Sequence, residues 1–253
     1  MIPGEPLPVV DEAAAARSTT AVLDVEGVSA GYGHAQILNG VSVKLRPRQI
    51  VSIVGPNGAG KSTLMKAIFG LLRLTSGRVL LQGQDISNAP PESHATRGMA
   101  YVPQINNVFP SLSVTENLEM GAYARRDDFR ARIDDIFSLF PDLRDSRQRP
   151  AGQLSGGQRN MLAMARALML DTHVLLLDEP TAGLAPRVTL AVWEHIESIR
   201  ASGVSILVVE QNARMALERS DYGYVLAAGR NRYEGPGPEL LAGEEVAALY
   251  LGR

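Results

Sequence analysis

The chain contains no cysteine, which excludes disulfides, zinc–thiolate sites and thiol nucleophiles outright. It also lacks a long apolar run. Crossing a bilayer takes about 20 consecutive apolar residues, and the best stretch, Val174 to Leu177, meets Asp178 at once. Excess positive charge is missing too, since 25 Lys and Arg stand against 27 Asp and Glu for a net charge of -2. That leaves no basic field of the kind non-specific nucleic-acid binding uses, so no nucleic acid is expected as a partner. The histidines at 34, 94, 173 and 195 show no ligand spacing with one another or with carboxylates. They predict packing or surface roles and no transition-metal site.

What is present is 253 residues, 45% of them hydrophobic, enough for one large α/β domain or two small ones. The first twenty residues hold three prolines, Glu5 and the Asp11–Glu12 pair, which break the basic-then-apolar pattern of a secretory signal. They predict a disordered leader over 1–20 and a protein that stays in the cytoplasm. From Ala21 to Val54, short β-rich runs alternate with Gly-containing turns, as strands joined by tight connections do. After Ile50 to Val54, the segment KSTLMKAIFGLL places Leu64, Ile68, Leu71 and Leu72 at helical spacing. A buried strand therefore runs through a glycine-rich loop into a helix.

The character changes from Ser113 to about Arg149. Two helix-like stretches occur there, with Ser113 and Glu116 in capping-box spacing and Asp127 and Asp128 at a helix start. Arg125, Arg126, Arg130 and Arg132 interleave with acids, the pattern of a solvated helix face. Strands return at VLLLD, VSILVVE and YGYVLAAG, separated by helical stretches over Val188 to Ala201 and Ala213 to Arg219. This is the βαβ rhythm of a parallel sheet. Met161, Met164 and Met169 on the helix after Gln158, and Trp193, read as core packing.

Three motifs carry chemistry. The first is GPNGAGKS, Gly55 to Ser62, a phosphate loop in its confirming context between strand and helix. Its backbone N–H groups would curl around phosphate oxygens and the helix would present its positive end to the same anion. Gly55, Pro56, Asn57, Gly58, Ala59 and Gly60 form the cradle, Lys61 would reach the phosphates, and Ser62 would offer a hydroxyl to Mg2+. Thr63 follows in the first helical turn. The second motif is VLLLDEP, where Asp178 ends an apolar strand within reach of a hydrated Mg2+. Glu179, one residue on, is placed to orient or deprotonate an attacking water. The third is LSGGQ, in which Ser155, Gly156, Gly157 and Gln158 open a helix and form a second anion site. By itself a Ser-Gly-Gly turn that merely caps a helix would be the better reading.

In combination the motifs decide. The sequence resembles the ATP-binding cassette family over nearly all of Ala21 to Arg253. The resemblance implies an α/β fold: a P-loop NTPase core of mainly parallel sheet, an N-terminal antiparallel β subdomain and an inserted α-helical subdomain over about 105–160. Residues 21–253 would form one nucleotide-binding domain whose last strands and helices occupy about 204–253. It further implies that LSGGQ binds the γ-phosphate of ATP held by a second subunit, that Tyr32 in AGYG stacks on adenine, and that Gln104 in YVPQ touches Mg2+ and senses the membrane partner. Catalysis would then rest on Glu179, Gln104 and Gln211, with ATP and Mg2+ as ligands and Ser62, Gln104 and Asp178 around the metal.

Two positions depart from the commonest family pattern. Ala185 stands in TAGLAP where an acid is usual, and Gln211 stands in VVEQNA where a histidine is usual. Glutamine still donates a hydrogen bond but carries no positive charge. With VFPSLSVTENLEMGAY, FSLFPDLRD and the ending EEVAALYLG, these departures are similar to the second ATPase subunit of branched-chain amino acid importers and to urea importer relatives. That similarity implies membrane-spanning permease subunits and a second ATPase subunit as partners, a solute-binding protein indirectly, and a place on the cytoplasmic face of the membrane. A lipid or lipopolysaccharide exporter ATPase is the nearest alternative within transport, and a non-transport ATPase of the same family lies further off.

Overall fold

A computed structural model of the chain describes residues 20–243. All but the last residue of the leader, and the whole of EEVAALYLG, lie outside the described residues.

Two sheets make the frame. The smaller is antiparallel, in the order β2-β1-β4-β5, from β1 (Leu23–Tyr32), β2 (Ala35–Leu45), β4 (Leu74–Leu81) and β5 (Gln84–Asp85). The larger runs β10-β9-β3-β8-β7-β6, from β3 (Ile50–Val54), β6 (Met99–Val102), β7 (Val174–Asp178), β8 (Ser205–Glu210), β9 (Tyr222–Ala227) and β10 (Arg230–Gly235). Its strands are parallel except β10, which pairs antiparallel with β9 at the edge. This is the α/β architecture the resemblance implies.

The central strands show why the sheet sits where it does. Every residue of β3, β7 and β8 is buried, as continuous Val/Ile/Leu runs in parallel sheets require when both faces are covered. Period-two alternation divides them between two cores. Ile50, Val54, Leu175, Leu177, Ile206 and Val208 point into the core shared with the helices on one face. Val51, Ile53, Leu176, Leu207 and Val209 point into the core shared with the antiparallel sheet and helix α1 (Lys61–Ile68) on the other.

The helices follow as α2 (Pro91–Thr96), α3 (Val114–Gly121), α4 (Arg130–Leu139), α5 (Pro141–Asp145), α6 (Gly156–Ala167), α7 (Pro186–Ala201), α8 (Ala213–Glu218) and α9 (Gly237–Ala242). Ser113 and Glu116 form the expected capping box on α3. Met161, Met164, Met169 and Trp193 are buried in the helical core, and His195 stacks on Phe140 at 5.0 Å.

Three sequence expectations need correction. The helix after the phosphate loop stops at Ile68, not Leu72, because Gly70 takes φ +74 and reverses the chain, which leaves Leu71 53% exposed. Strands β4, β6 and β10 fall where the sequence suggested none. The arginines between the two helical stretches and on the second are also not uniformly solvated. Arg132 donates to Leu168 O at 2.7 and 3.0 Å and Arg125 to Met169 O at 3.1 Å. Both satisfy carbonyls at the end of α6, where cations are favoured by the helix dipole.

Candidate functional site

Three strands end side by side: β3 at Val54, β7 at Asp178 and β8 at Glu210. Ligands of open α/β sheets sit at such carboxyl ends, and here an open cavity of about 380 Å3 lies there. Its walls are Tyr32 and Ile37 from the first hairpin, Asn57, Gly58 and Gly60 to Thr63 from the loop and helix, and Gln104, Glu179 and Gln211. Every sequence-predicted group except the LSGGQ segment is therefore in the cavity wall or bonded to it.

The loop after β3 has little freedom to vary. A side chain at Gly55 would place its Cβ 2.4 Å from Leu226 O. Gly60 sits at φ +99, a conformation L-residues avoid, and caps α1 with no side-chain hydrogen bond. The first amides of α1 thus have neither a carbonyl in the preceding turn nor a capping oxygen, and the residues that carry them line the cavity. Ala59 is buried beneath the loop while Pro56, Asn57 and Gly58 are exposed on it. Lys61 folds back along the loop, donating to Gly55 O at 2.8 Å and Pro56 O at 3.2 Å. Burial lowers its pKa, against the opposing pull of Glu179, Asp178 and Glu210.

Asp178 is held at both oxygens. Ser62 Oγ donates to Oδ1 at 2.9 Å and the Tyr101 hydroxyl to Oδ2 at 3.1 Å, and burial followed by the Asp178 charge pushes the Tyr101 phenol up. Glu179 adopts φ +50, rare for a residue with a side chain and the kind of strain found at functional sites. Its Oε2 accepts from Gln104 Nε2 at 2.8 Å and from Gln211 Nε2 at 2.6 Å. Two glutamines from separate loops thus converge on one carboxylate oxygen. Tyr32, at the end of β1, is 49% exposed on the rim, a free aromatic face.

A hydroxyl and a carboxylate 2.9 Å apart at the end of a strand, beside a side-chain amide, form an all-oxygen donor set. Such a set fits Mg2+, which is bound through one or two carboxylate or hydroxyl ligands plus substrate phosphate. Among the described residues no group of three or more His, Cys, Asp and Glu is gathered for a metal.

The LSGGQ segment lies apart from this cavity. Ser155 Oγ accepts from Gln158 N at 3.2 Å and Gln158 Oε1 accepts from Ser155 N at 3.0 Å, a complete capping box at the start of α6. The expected second anion site is therefore already capped by its own side chains, with the Ser155 hydroxyl proton and the first helical amides still available. Ala185 occupies the corresponding cap position of α7, where it offers no side-chain bond.

Sequence reasoning passed over several residues here. Tyr101 stands in the quoted YVPQ, yet only the fold brings it to Asp178. Asn160 on α6 donates to Pro180 O at 2.6 Å and accepts from Asn107 Nδ2 at 2.9 Å, joining the LSGGQ helix to the segments after Glu179 and Gln104. Glu210, the last residue of β8, and Thr181, in the loop after β7, are buried partners. Glu210 and Tyr101 gave the signal of a polar group beside an apolar run, whereas Asn160 and Thr181, set among polar residues, gave none.

The ABC transporter family model matches residues 38–182. The chain is 44% identical to the probable branched-chain amino acid transport ATP-binding protein LivF of Archaeoglobus fulgidus, over 89% of this chain and 96% of that one. It is 40% identical to the high-affinity branched-chain amino acid transport ATP-binding protein BraG of Pseudomonas aeruginosa, over 91% and 100%. The lipopolysaccharide export system ATP-binding protein LptB of Escherichia coli is 34% identical, over 92% and 98%. The crystal structure of an ATP-binding cassette of an ABC transporter in its ADP conformation superposes with a TM-score of 0.84 at 28% identity, covering 93% of this chain and all of that one. With phosphate loop, paired strand-end acids and LSGGQ helix arranged on that fold, the chain belongs to the ABC transporter family as one of its ATP-hydrolysing subunits.

Proposed function

We propose that this subunit powers an importer for branched-chain amino acids or a similar small polar solute, through permease subunits in the membrane, from the cytoplasmic face. The observation that carries the solute reading is the gap in likeness: 44% and 40% identity to the two branched-chain amino acid proteins against 34% to the lipopolysaccharide exporter protein. No helix among the described residues is long and apolar enough to cross a membrane.

In the hydrolytic step, the amides of Gly58 to Ser62 and the start of α1 cradle the phosphates, and Lys61 exchanges its two carbonyl contacts for phosphate oxygens. Ser62, Asp178 and Gln104 would hold Mg2+, which supplies charge neutralisation at the phosphate oxygens when bound. Glu179 accepts or orients the water's proton, and Gln104 and Gln211 fix which of its oxygens stays free for that task. Tyr32 offers its exposed ring to adenine. Ser155, Gly156, Gly157 and Gln158 meet the nucleotide of a second ATPase subunit, so the closed pair holds two ATP molecules. ATP binding closes the pair and hydrolysis releases it.

Glu179→Gln preserves shape while removing the base, and should lower hydrolysis by about 10²–10⁴ with ATP binding intact. A variant hydrolysing at the parent rate would refute the base role. For the solute, cells lacking the gene should lose uptake of labelled leucine, isoleucine or valine and regain it with the parent chain but not with Glu179→Gln. Undiminished uptake in the deletion strain would overturn the importer reading and favour the exporter alternative.

A further inference from the structure

We infer that Glu210 is a positioning residue for hydrolysis, a buried carboxylate that fastens the loop carrying Glu179 to the loop carrying Gln211. The inference rests on the hydrolytic reading above and assigns a role to a residue outside the motifs.

Glu210 ends β8 and is 2% exposed. Its Oε1 accepts from Thr181 N at 3.1 Å and from Thr181 Oγ1 at 2.7 Å, and its Oε2 accepts from Gln211 N at 3.3 Å. Thr181 stands two residues beyond Glu179, and Gln211 Nε2 donates to Glu179 Oε2 at 2.6 Å. The contacts close a ring: Glu210 to Thr181, along the chain through Pro180 to Glu179, across to Gln211, and back to Glu210. Two loops that follow different strands are thereby locked in one relative position, and that position sets where the free oxygen of Glu179 points.

Packing gives no reason for an acid here. The strand positions beside it, Val209 before it and Val54 opposite in the β3 register, are aliphatic. An apolar side chain would fill the same space without the desolvation penalty of a buried carboxylate. The penalty is real, since burial pushes the carboxyl up to about 7 against the pull of its Thr181 and Gln211 hydrogen bonds. Three neutral donors from two loops are what the group holds in return. A buried polar group that is fully bonded specifies one geometry.

The substitutions separate this from a merely structural role. In Glu210→Gln the amide oxygen can still accept both Thr181 bonds, but its NH2 then faces the Gln211 N–H, donor against donor, so the Gln211 link is lost selectively. We expect kcat for ATP hydrolysis to fall roughly three- to tenfold, the range of one hydrogen bond, with KM within about twofold of the parent. In the cycle with Gln211→Ala, the double variant should hydrolyse at the rate of Gln211→Ala alone, because Glu210 acts through Gln211. Thr181→Val should lower kcat in the same way, and Thr181→Ser, which restores the hydroxyl, should recover most of the loss. The inference is overturned if the effects of Glu210→Gln and Gln211→Ala multiply, or if Glu210→Gln shifts the melting temperature and leaves kcat alone. Should Glu210→Gln fail to fold, Thr181→Val at the parent kcat overturns it instead. A parent chain no faster than Glu179→Gln would remove the hydrolytic reading itself, a result distinct from either of those.

Discussion

Two helices in this molecule begin at glycine-rich turns, and they begin differently. At α1 the cap is Gly60, with no side chain and φ +99, and no side-chain oxygen reaches the first amides. At α6 the cap is Ser155, whose hydroxyl accepts from Gln158 N while Gln158 closes the box from the other side. Helix amides left without partners are a cost unless something external supplies oxygens. The first helix is therefore built to be completed by a ligand lying in its own cavity. The second is stable by itself and presents an already ordered edge, which is what the proposed meeting with a nucleotide brought by another subunit requires.

The largest test of this contrast is Lys61→Ala against Ser155→Arg. Lys61 contributes charge-assisted contacts where α1 meets phosphate, so Lys61→Ala should weaken ATP binding by the isolated subunit about 10- to 100-fold. Ser155→Arg should leave that binding at the parent value and abolish ATP-dependent pairing, because the added bulk and charge sit on the edge that must close. Nucleotide titration of the monomer and sizing of the Glu179→Gln background with ATP report the two separately. If Ser155→Arg weakens monomer binding as much as Lys61→Ala does, the two helix ends are one site and the contrast fails.

A smaller effect is expected at Gln211, whose Nε2 lies 2.6 Å from Glu179 Oε2. Gln211→Ala should lower the ATPase rate several-fold, on the scale of one net hydrogen bond. Gln211→His should keep a donor there and fall less. Equal rates for the parent and both variants would leave Gln211 with no role, and the converging pair on Glu179 would reduce to Gln104 alone.

What could be read from the sequence follows the same division between local and distant. GPNGAGKS, VLLLDEP and LSGGQ declare themselves because each packs its chemistry into adjacent residues, and the largely apolar runs of β3 and β7 that deliver the first two read as buried strands. Strand β10 was invisible because it is an edge strand of alternating exposed residues, RNRYEG, with no apolar signal. In β4 a Gly-containing polar half, TSG, hides the strand that pairs with β1. Arg125 and Arg132 read as solvated because their acids are neighbours in sequence, whereas the carbonyls they satisfy at the end of α6 are more than thirty residues away. Tyr101 and Glu210 were missed for a related reason. Their partners, Asp178 and Thr181, come from β7 or its following loop, and only the sheet order β8-β7-β6 brings them together.

The smallest effect isolates the cap itself. Ser155 and Ser113 both close capping boxes, on α6 and α3, so replacing either with alanine removes the same bond from a backbone amide. Each should cost about 0.5–2 kcal/mol of stability by denaturant unfolding. Their consequences for turnover should part. Ser113 lies outside the cavity and the LSGGQ edge, so Ser113→Ala should unfold earlier yet hydrolyse ATP at the parent rate when folded. Ser155→Ala should lose stability by a similar amount and also lose ATPase activity at protein concentrations where pairing limits the rate, because on the proposed pairing the same hydroxyl serves the cap and the partner's nucleotide. Activity lost in proportion to stability in both variants would mean that the Ser155 hydroxyl does nothing beyond capping. Activity lost only at position 155 would locate the second phosphate contact on a residue that already has a structural role.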